Sequence, residues 1–163
     1  MKFLADGMLG KLARWLRMLG HDVIYDNGLG DNELLELAKK ESRVLLTKDL
    51  ELYKRAAFRD VETFYVEGTT EPERLAEVAN RYGLALVIDM DKSHCPVCNT
   101  SLKLAQKELL RNELQTNTYV HYDKFWKCPA CGQIYWQGAH WKQINNTLDE
   151  AQKKLEKTKE KEA

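Results

Sequence analysis

Residues 2–19 read KFLADGMLGKLARWLRML, and this stretch decides the fold of the first half of the chain. Its apolar run at residues 2–5 predicts a short β-strand. Beyond Asp6 the apolar residues recur at spacings of three and four, which is typical of a helix with one buried face. They are Leu9, Leu12, Ala13, Leu16 and Leu19. Gly20 suits the left-handed position that closes such a helix. A strand followed directly by a helix is the repeating unit of an α/β sheet.

The same alternation continues through residue 88. Further strands are predicted at residues 23–25, 44–47 and 61–66, and helices around residues 34–38, at about 50–57 and from 70 to about 82. The last helix has the clearest start, because TEPE at residues 70–73 combines an N-cap, a proline in the first turn and a glutamate three residues beyond the cap. Gly83 closes it, and an apolar run follows at residues 84–88. The pattern predicts a mostly parallel sheet flanked by helices.

Composition restricts the class of protein. The formal net charge is zero, but residues 1–91 carry 13 Lys and Arg against 17 Asp and Glu, and the remaining residues carry 12 against 8. Nucleic-acid binding would therefore need local patches rather than a global positive field. We expect neither a signal peptide nor a membrane span, because no apolar run approaches about 18 residues. The expected location is the cytoplasm, where paired cysteines are more often metal ligands than disulfides.

Four cysteines form two C-x-x-C pairs, CPVCN at residues 95–99 and CPACG at residues 128–132. Two intervening residues let each turn direct both sulfurs at one ion about 2.3 Å away. The residue after each pair, Asn99 or Gly132, tolerates the positive φ that such a turn needs. Four thiolates complete the tetrahedron of a structural zinc ion and leave no open position for catalysis. We therefore predict one structural Zn²⁺ ion in preference to a redox thiol pair, and its ligands are Cys95, Cys98, Cys128 and Cys131.

A polar stretch at residues 89–93 separates the two halves, and it sets the predicted domain boundaries. We predict an α/β domain at 1–91, a zinc ribbon at 92–142, and a C-terminal helix with a charged tail at 143–163. The 29 residues between the cysteine pairs exceed the usual ribbon spacing, so this insert should contain a strand or helix of its own. A domain of about 50 residues has a small core, so the metal would contribute folding free energy directly. Residues 153–163 mix Lys and Glu, which favours a solvated helix end or a frayed tail.

Aspartates follow the predicted strands. Asp6, Asp26 and Asp49 lie at or just beyond strand ends, and Asp31 opens the helix after the second strand. Sites in parallel sheets form outside the carboxyl ends of the strands, and grouped carboxylates favour a hard cation such as Mg²⁺ or Mn²⁺. Such a cluster activates water and stabilises a phosphoryl transition state, so phosphodiester hydrolysis is the leading chemistry. Each aspartate has a local alternative: Asp26 as a turn residue and the other three as helix caps.

These motifs resemble a known family. Asp6 at the first strand end, DNELL at residues 31–35 and LLTKD at residues 45–49 resemble the acidic signature of PIN-like metal-dependent ribonucleases. More narrowly, DGMLGKLARWLR at residues 6–17, CPACG at 128–132 and YWQGAHW at 135–141 resemble the mut-seven C-terminal RNase family. The resemblance covers about residues 2–145. It implies a PIN-like domain joined to a zinc ribbon, RNA as the substrate, and Asp6, Asp31 and Asp49 as the acids that hold a catalytic Mg²⁺ or Mn²⁺.

The first helix departs from the PIN pattern. Many PIN nucleases carry a further acid on it, whereas residues 7–21 contain none. Asp26 and Glu33 are the candidate substitutes, and the number of catalytic metals stays open.

RNA contacts are expected from basic and aromatic residues. Lys11, Arg14 and Arg17 recur every three residues on the first helix, where they could bind phosphates or simply form a solvated face. The ribbon mixes aromatic and basic residues, which stack bases and meet the backbone, although a small core also uses aromatics for packing. The full candidate set is Lys11, Arg14, Arg17, Lys48, Lys124, Trp126, Lys127, His140 and Trp141.

The leading hypothesis is a Mg²⁺- or Mn²⁺-dependent ribonuclease whose ribbon assists RNA binding. One alternative is a non-catalytic RNA- or ribosome-binding protein that keeps the fold, as the missing helix acid would allow. Another is a toxin-like nuclease, although the sequence identifies no antitoxin partner. The RNA class is open, with tRNA and ribosomal RNA as candidates.

Overall fold

Four parallel strands form the sheet of the first half in the computed structural model, which describes residues 1–163. They are β1 (Lys2–Ala5), β2 (Asp22–Tyr25), β3 (Val44–Thr47) and β4 (Thr63–Tyr65). The order across the sheet is β2-β1-β3-β4, and Leu4 in the centre is aligned with Ile24 on one side and Leu45 on the other. The predicted α/β class with a parallel sheet is confirmed. β4 is shorter than the predicted strand at 61–66, although Val61 and Val66 at the ends of that range are both buried.

Helices cover both faces of this sheet. They are α1 (Gly10–Met18), α2 (Asp31–Glu41), α3 (Leu50–Phe58) and α4 (Glu71–Tyr82), and a 3₁₀ turn (Gly7–Leu9) precedes α1. Successive strand side chains point to opposite faces. Phe3 and Leu46 therefore pack in the core with α1 and α4, whereas Leu4 and Leu45 pack with α2 and α3. The result is a three-layer α/β/α arrangement.

The strongest predicted helix start is confirmed at α4. The Thr70 hydroxyl accepts a hydrogen bond from the Glu73 N–H, and the Glu73 carboxylate accepts one from the Thr70 N–H. Gly83 ends the helix in the left-handed conformation, with φ of 67°. Gly20 likewise follows α1 with φ of 97°. Both turns form where the glycines predicted them.

The second half contains a small antiparallel sheet. Its strands are β5 (Lys103–Ala105), β6 (Phe125–Lys127) and β7 (Ile134–Tyr135), with β6 in the middle. The insert between the cysteine pairs also holds a 3₁₀ turn (Lys107–Leu110) and the short helix α5 (Thr116–His121), as its length predicted. A separate small core joins this sheet to the cysteines through Met90, Leu102 and Trp126.

The last helix, α6 (Trp141–Glu162), packs along α4 and completes the larger core. Leu148, Ala151 and Leu155 are buried there. Residues 153–163 form a mostly exposed helix end, which is one of the two expected alternatives. The frayed tail is not observed, because the helix continues to Glu162 and Leu155 is only 3% exposed. No helix in the structure is both long and apolar enough to cross a membrane.

Candidate active site and four-cysteine site

Asp6 and the segment ending in Asp49 meet at the carboxyl ends of the adjacent strands β1 and β3. The Thr47 hydroxyl joins them: it donates to Asp6 Oδ2 at 2.8 Å and accepts from the Asp49 N–H at 2.9 Å. Thr47 is fully buried, and the Asp6 N–H donates to the Leu46 carbonyl at 3.0 Å. One buried hydroxyl therefore fixes the relative position of the two strand ends. Sequence reasoning missed Thr47, although it stands two residues before Asp49 in LLTKD.

This position is also the topological switch point of the sheet. The chain leaves β1 for β2 on one side and then crosses to β3 on the other. The helices that follow β1 and β3 consequently lie on opposite faces, which opens a crevice at the carboxyl ends of these two strands. Asp6 and Asp49 occupy the place where ligands bind in open α/β sheets.

Both aspartates also have local roles. Asp6 Oδ1 accepts from the Gly7 N–H at 2.6 Å, and Asp49 Oδ1 accepts from the N–H groups of Glu51 and Leu52 at the start of α3. The capping alternative therefore holds for both. Both oxygens of Asp6 accept one hydrogen bond each, whereas Asp49 uses only Oδ1 and leaves Oδ2 without a protein donor on an exposed residue.

The other predicted acids lie apart from this pair. Asp31 is in the first turn of α2 and its Oδ2 accepts from Arg55 Nη1 of α3 at 3.2 Å. Asp26 is exposed and accepts from the Gly28 N–H, as a turn residue does, and Glu33 accepts from the Gly30 N–H at the start of α2. The structure does not bring three carboxylates together. The only close group of three or more metal-ligating residues is the four cysteines.

The basic residues predicted on α1 separate into two kinds. Lys11 and Arg14 are exposed. Arg17 is only 6% exposed, and its guanidinium donates to the carbonyls of Val23 and Pro96 at 2.9 and 2.8 Å. The expectation that Arg17 shares the solvated face is wrong, because α1 turns this side chain toward the ribbon. Lys48 donates to the Gly68 carbonyl at 2.8 Å and so supports the loop after β4.

Some of the predicted RNA-binding residues of the ribbon are packed in its core and others lie on its surface. Trp126 is buried and its indole N–H donates to Asp91 at 3.0 Å, so the packing alternative holds for this residue. Lys127 pairs with Glu113 at 3.1 Å. Lys124 and His140 are exposed, and Trp141 is half-buried against the ribbon core.

The four cysteine sulfurs lie within 4.8 Å of one another. Cys95 Sγ is 3.7 Å from Cys131 Sγ, and Cys98 Sγ is 3.4 Å from Cys128 Sγ. A tetrahedral ion with 2.3 Å bonds would separate its sulfurs by about 3.8 Å, so this group could hold one zinc ion. The turns have the predicted backbone, with φ of 74° at Asn99 and 79° at Gly132. The predicted ligand set is therefore assembled.

The pKa values of two of the four thiols, Cys98 and Cys131, are shifted in opposite directions. Hydrogen bonding with the Thr100 hydroxyl and N–H lowers the pKa of Cys98 to about 6. At Cys131 the Gln133 N–H favours the thiolate, but desolvation and the neighbouring sulfurs outweigh it and raise the pKa to about 11. Burial and the nearby Cys95 raise the pKa of Tyr135, whose hydroxyl is 3.1 Å from Cys95 Sγ. Four thiolates this close need a cation among them.

The first cysteine turn docks on the edge strand β2. Asn99 donates to Asp22 Oδ1 at 2.7 Å and accepts from the Val23 N–H at 2.9 Å through its side chain. Its own N–H closes the turn on the Cys95 carbonyl at 2.8 Å. A single left-handed asparagine thus shapes the cysteine turn and covers the free edge of β2.

The fold and these two sites define a class of protein: a parallel α/β domain with acids at its switch point, joined to a four-cysteine antiparallel module. The chain belongs to the Mut7-C RNAse domain family, whose model matches residues 1–148. That match spans both halves and confirms the family resemblance noted in the sequence. It indicates a ribonuclease-type function with RNA as the substrate. Searches of curated proteins and of solved structures each found no match.

Proposed function

We propose that this protein is a metal-dependent ribonuclease that hydrolyses RNA phosphodiester bonds at the carboxyl edge of its parallel sheet. The observation that carries the proposal is the hydrogen-bonded link from Asp6 through Thr47 to Asp49 at the switch point. A buried hydroxyl that orients two acidic strand ends supports a built site rather than two unrelated helix caps. The sheet, in this proposal, is PIN-like.

The donor set suits Mg²⁺ or Mn²⁺, because both ions take carboxylate oxygens and water. Asp6 and Asp49 would hold the ion, with Asp31 as the third acid once it separates from Arg55. When bound, the ion supplies Lewis acidity toward the phosphoryl oxygens and lowers the pKa of water. Asp26 and Glu33 remain candidate additional acids, although each accepts only a local N–H in the structure.

The chain's own residues would position the RNA. Thr47 holds the Asp6 carboxylate in place. Lys11 and Arg14, exposed on the helix that follows Asp6, would bind backbone phosphates. Lys124, His140 and Trp141 would assist from the ribbon.

The four cysteines, in the same proposal, hold a structural zinc ion and have no part in the chemistry, since four thiolates leave no open coordination position. Reduced thiols in this arrangement suit a reducing compartment such as the cytoplasm. Metal analysis of the purified protein should find about one zinc per chain.

Cleavage of labelled RNA tests the enzymatic proposal. Single-stranded oligonucleotides, tRNA and ribosomal RNA are incubated with and without Mg²⁺ or Mn²⁺. We expect cleavage that depends on the ion and falls to background in an Asp6→Asn, Asp49→Asn double variant. Asp149→Asn, at an exposed position on α6, is the matched control and should cleave like the parent. Full activity in the double variant would refute the assignment.

A second candidate is an RNA-binding protein without catalysis, and one observation favours it. Asp31 forms an ion pair with Arg55 instead of joining Asp6 and Asp49. For that function the double variant would bind RNA as tightly as the parent, and neither protein would cleave it with either ion. If the parent cleaves RNA, Asp31→Asn tests the third acid, because loss of a catalytic Asp31 lowers the cleavage rate without weakening binding.

A further inference from the structure

A cavity of about 170 Å³ lies where the ribbon meets the end of α1 and the start of α6. Its walls are largely aromatic and apolar, and they include Met18, His94, Trp136, His140, Trp141 and Ile144. All six of these residues are half-buried or exposed, so the cavity opens to solvent. Neither the proposed catalytic edge nor the cysteine site uses it.

Its size and chemistry suit a flat aromatic ring. An apolar cavity of about 150 Å³ accommodates benzene, so this volume admits a planar ring system. The indole N–H groups of Trp136 and Trp141 donate no hydrogen bond to the protein, whereas that of Trp126 donates to Asp91. The cavity therefore offers aromatic stacking faces, which single-stranded nucleic acid uses in aromatic binding platforms.

The exposed side of α1 leads from the catalytic edge to this cavity. Lys11, Arg14 and Met18 follow one another at spacings of three and four, so they share one face of the helix. Lys11 lies near the Asp6 end, and Met18 is a wall of the cavity. The nine residues of α1 span about 12 Å along the helix axis. Two exposed cations thus line the path between the acids and the aromatic cavity.

We propose that this cavity receives one unstacked nucleobase of an RNA strand that lies along α1, several ångströms away from the bond that is cleaved. The inference rests on the proposed ribonuclease function and adds a base-binding subsite to it. Lys11 and Arg14 contact the backbone of the strand, and Trp136 stacks on the base. Because stacking accepts any π face, the subsite selects unpaired RNA rather than a particular sequence.

Binding of two decamers separates base contacts from backbone contacts. One is a fluorescent single-stranded RNA decamer, and the other is a decamer with the same backbone but no bases. Affinities are measured without added divalent ions for the parent, Trp136→Ala, His140→Ala and a Lys11→Ala, Arg14→Ala double variant. Phe58→Ala is the matched control, since Phe58 is 92% exposed on α3 and far from the cavity in the fold. Zinc content and thermal unfolding show that each variant is folded.

We expect Trp136→Ala to weaken the base-containing decamer about tenfold and the abasic decamer hardly at all. His140→Ala should also weaken binding of the base-containing decamer. The Lys11→Ala, Arg14→Ala double variant should weaken binding of both decamers, and Phe58→Ala should change neither affinity. Equal effects of Trp136→Ala on both decamers, or none on either, would overturn the subsite while leaving RNA binding intact. If neither decamer binds the parent, the proposed function fails together with the subsite.

Discussion

Thr47 shows how one side chain can organise a site at the residue scale. It is the last residue of β3, it is fully buried, and its hydroxyl is both donor to Asp6 and acceptor from the Asp49 N–H. A valine at this position would fill the same volume but satisfy neither partner. A Thr47→Val substitution therefore removes the hydrogen bonds while keeping the packing volume.

Thr47→Val should reduce RNA cleavage or metal affinity by about 10- to 100-fold, the usual effect of losing a hydrogen bond that orients a metal-binding carboxylate. The partly buried Asp49 N–H would also lose its acceptor, which costs about 1 kcal/mol of stability. Thr47→Ser keeps the hydroxyl and should retain most activity. Cleavage rates over a Mn²⁺ titration check this, and a fully active valine variant would contradict the positioning role.

His21 makes stability depend on pH. Burial and the nearby positive groups lower its pKa to about 4 from the ordinary 6.5. Below pH 6.5 the unfolded chain gains a proton that the folded chain does not take up until about pH 4, so stability falls as the pH drops through this window. The Gln side chain of His21→Gln cannot titrate. Between pH 7 and 4 the free energy of unfolding of this variant should therefore fall by about 1 kcal/mol less than that of the parent, after discounting for solvent screening. Urea unfolding at several pH values measures this, with exposed His121→Gln as control; parallel curves for parent and His21→Gln would contradict it.

Residues were predictable where a local pattern decides their place. Asp6 and Asp49 follow short apolar runs, so their positions at strand ends could be inferred without the structure. Arg17 could not be placed, because its spacing from Lys11 and Arg14 suggests a shared polar face. Its environment depends on carbonyls of Pro96 and Val97, which are about 80 residues away in the chain.

At the scale of elements, α6 is the predicted C-terminal helix, but one residue in its charged half is buried. Its second half is a Lys- and Glu-rich run that suggests solvent on all sides. The structure shows instead that Leu148, Ala151 and Leu155 form one apolar stripe against α4. Their spacings of three and four were visible in the sequence, but a single leucine among charges gave too weak a signal without knowledge of the facing helix. The four strands of the parallel sheet were easier to predict, because each is a short apolar or β-branched run between helix-like segments. β5, β6 and β7 were not predicted individually.

Leu155→Ala tests whether this part of α6 stabilises the domain. Truncating a leucine that is 3% exposed should cost about 2–5 kcal/mol, since it leaves a cavity beside α4. Leu104→Ala, at a position that is 62% exposed on β5, is the matched control and should change stability by less than about 0.5 kcal/mol. Urea unfolding gives both values. Equal small effects of Leu155→Ala and Leu104→Ala would show that Leu155 contributes no more to the free energy of unfolding than an exposed leucine does.

At the scale of the whole molecule, several hydrogen bonds join the parts of the chain on either side of the predicted domain boundary between residues 91 and 92. The boundary itself stays a prediction. Arg17 donates to Pro96, the His94 N–H donates to the Arg17 carbonyl, and the Ser93 hydroxyl donates to the Met18 carbonyl at 2.6 Å. Asn99 adds its two hydrogen bonds to β2. Sequence patterns could define the two modules but not this interface, since its contacts join residues about 75–80 positions apart.

Removal of the proposed zinc ion should therefore affect β2 as well as the ribbon. Small metal-binding modules typically depend on their ion for folding, so a chelator that strips the proposed zinc ion should make all four thiols reactive and unfold β5, β6 and β7. Once the cysteine turn is lost, the Val23 N–H loses the Asn99 side chain that it now donates to and should exchange its hydrogen faster. The Asp6 N–H, bonded to the Leu46 carbonyl in the centre of the sheet, should stay protected and serves as the internal control. Hydrogen exchange with and without the chelator, repeated on Cys98→Ser, distinguishes the outcomes. Unchanged exchange at Val23 after verified loss of zinc would mean that the ribbon docks on β2 without its metal.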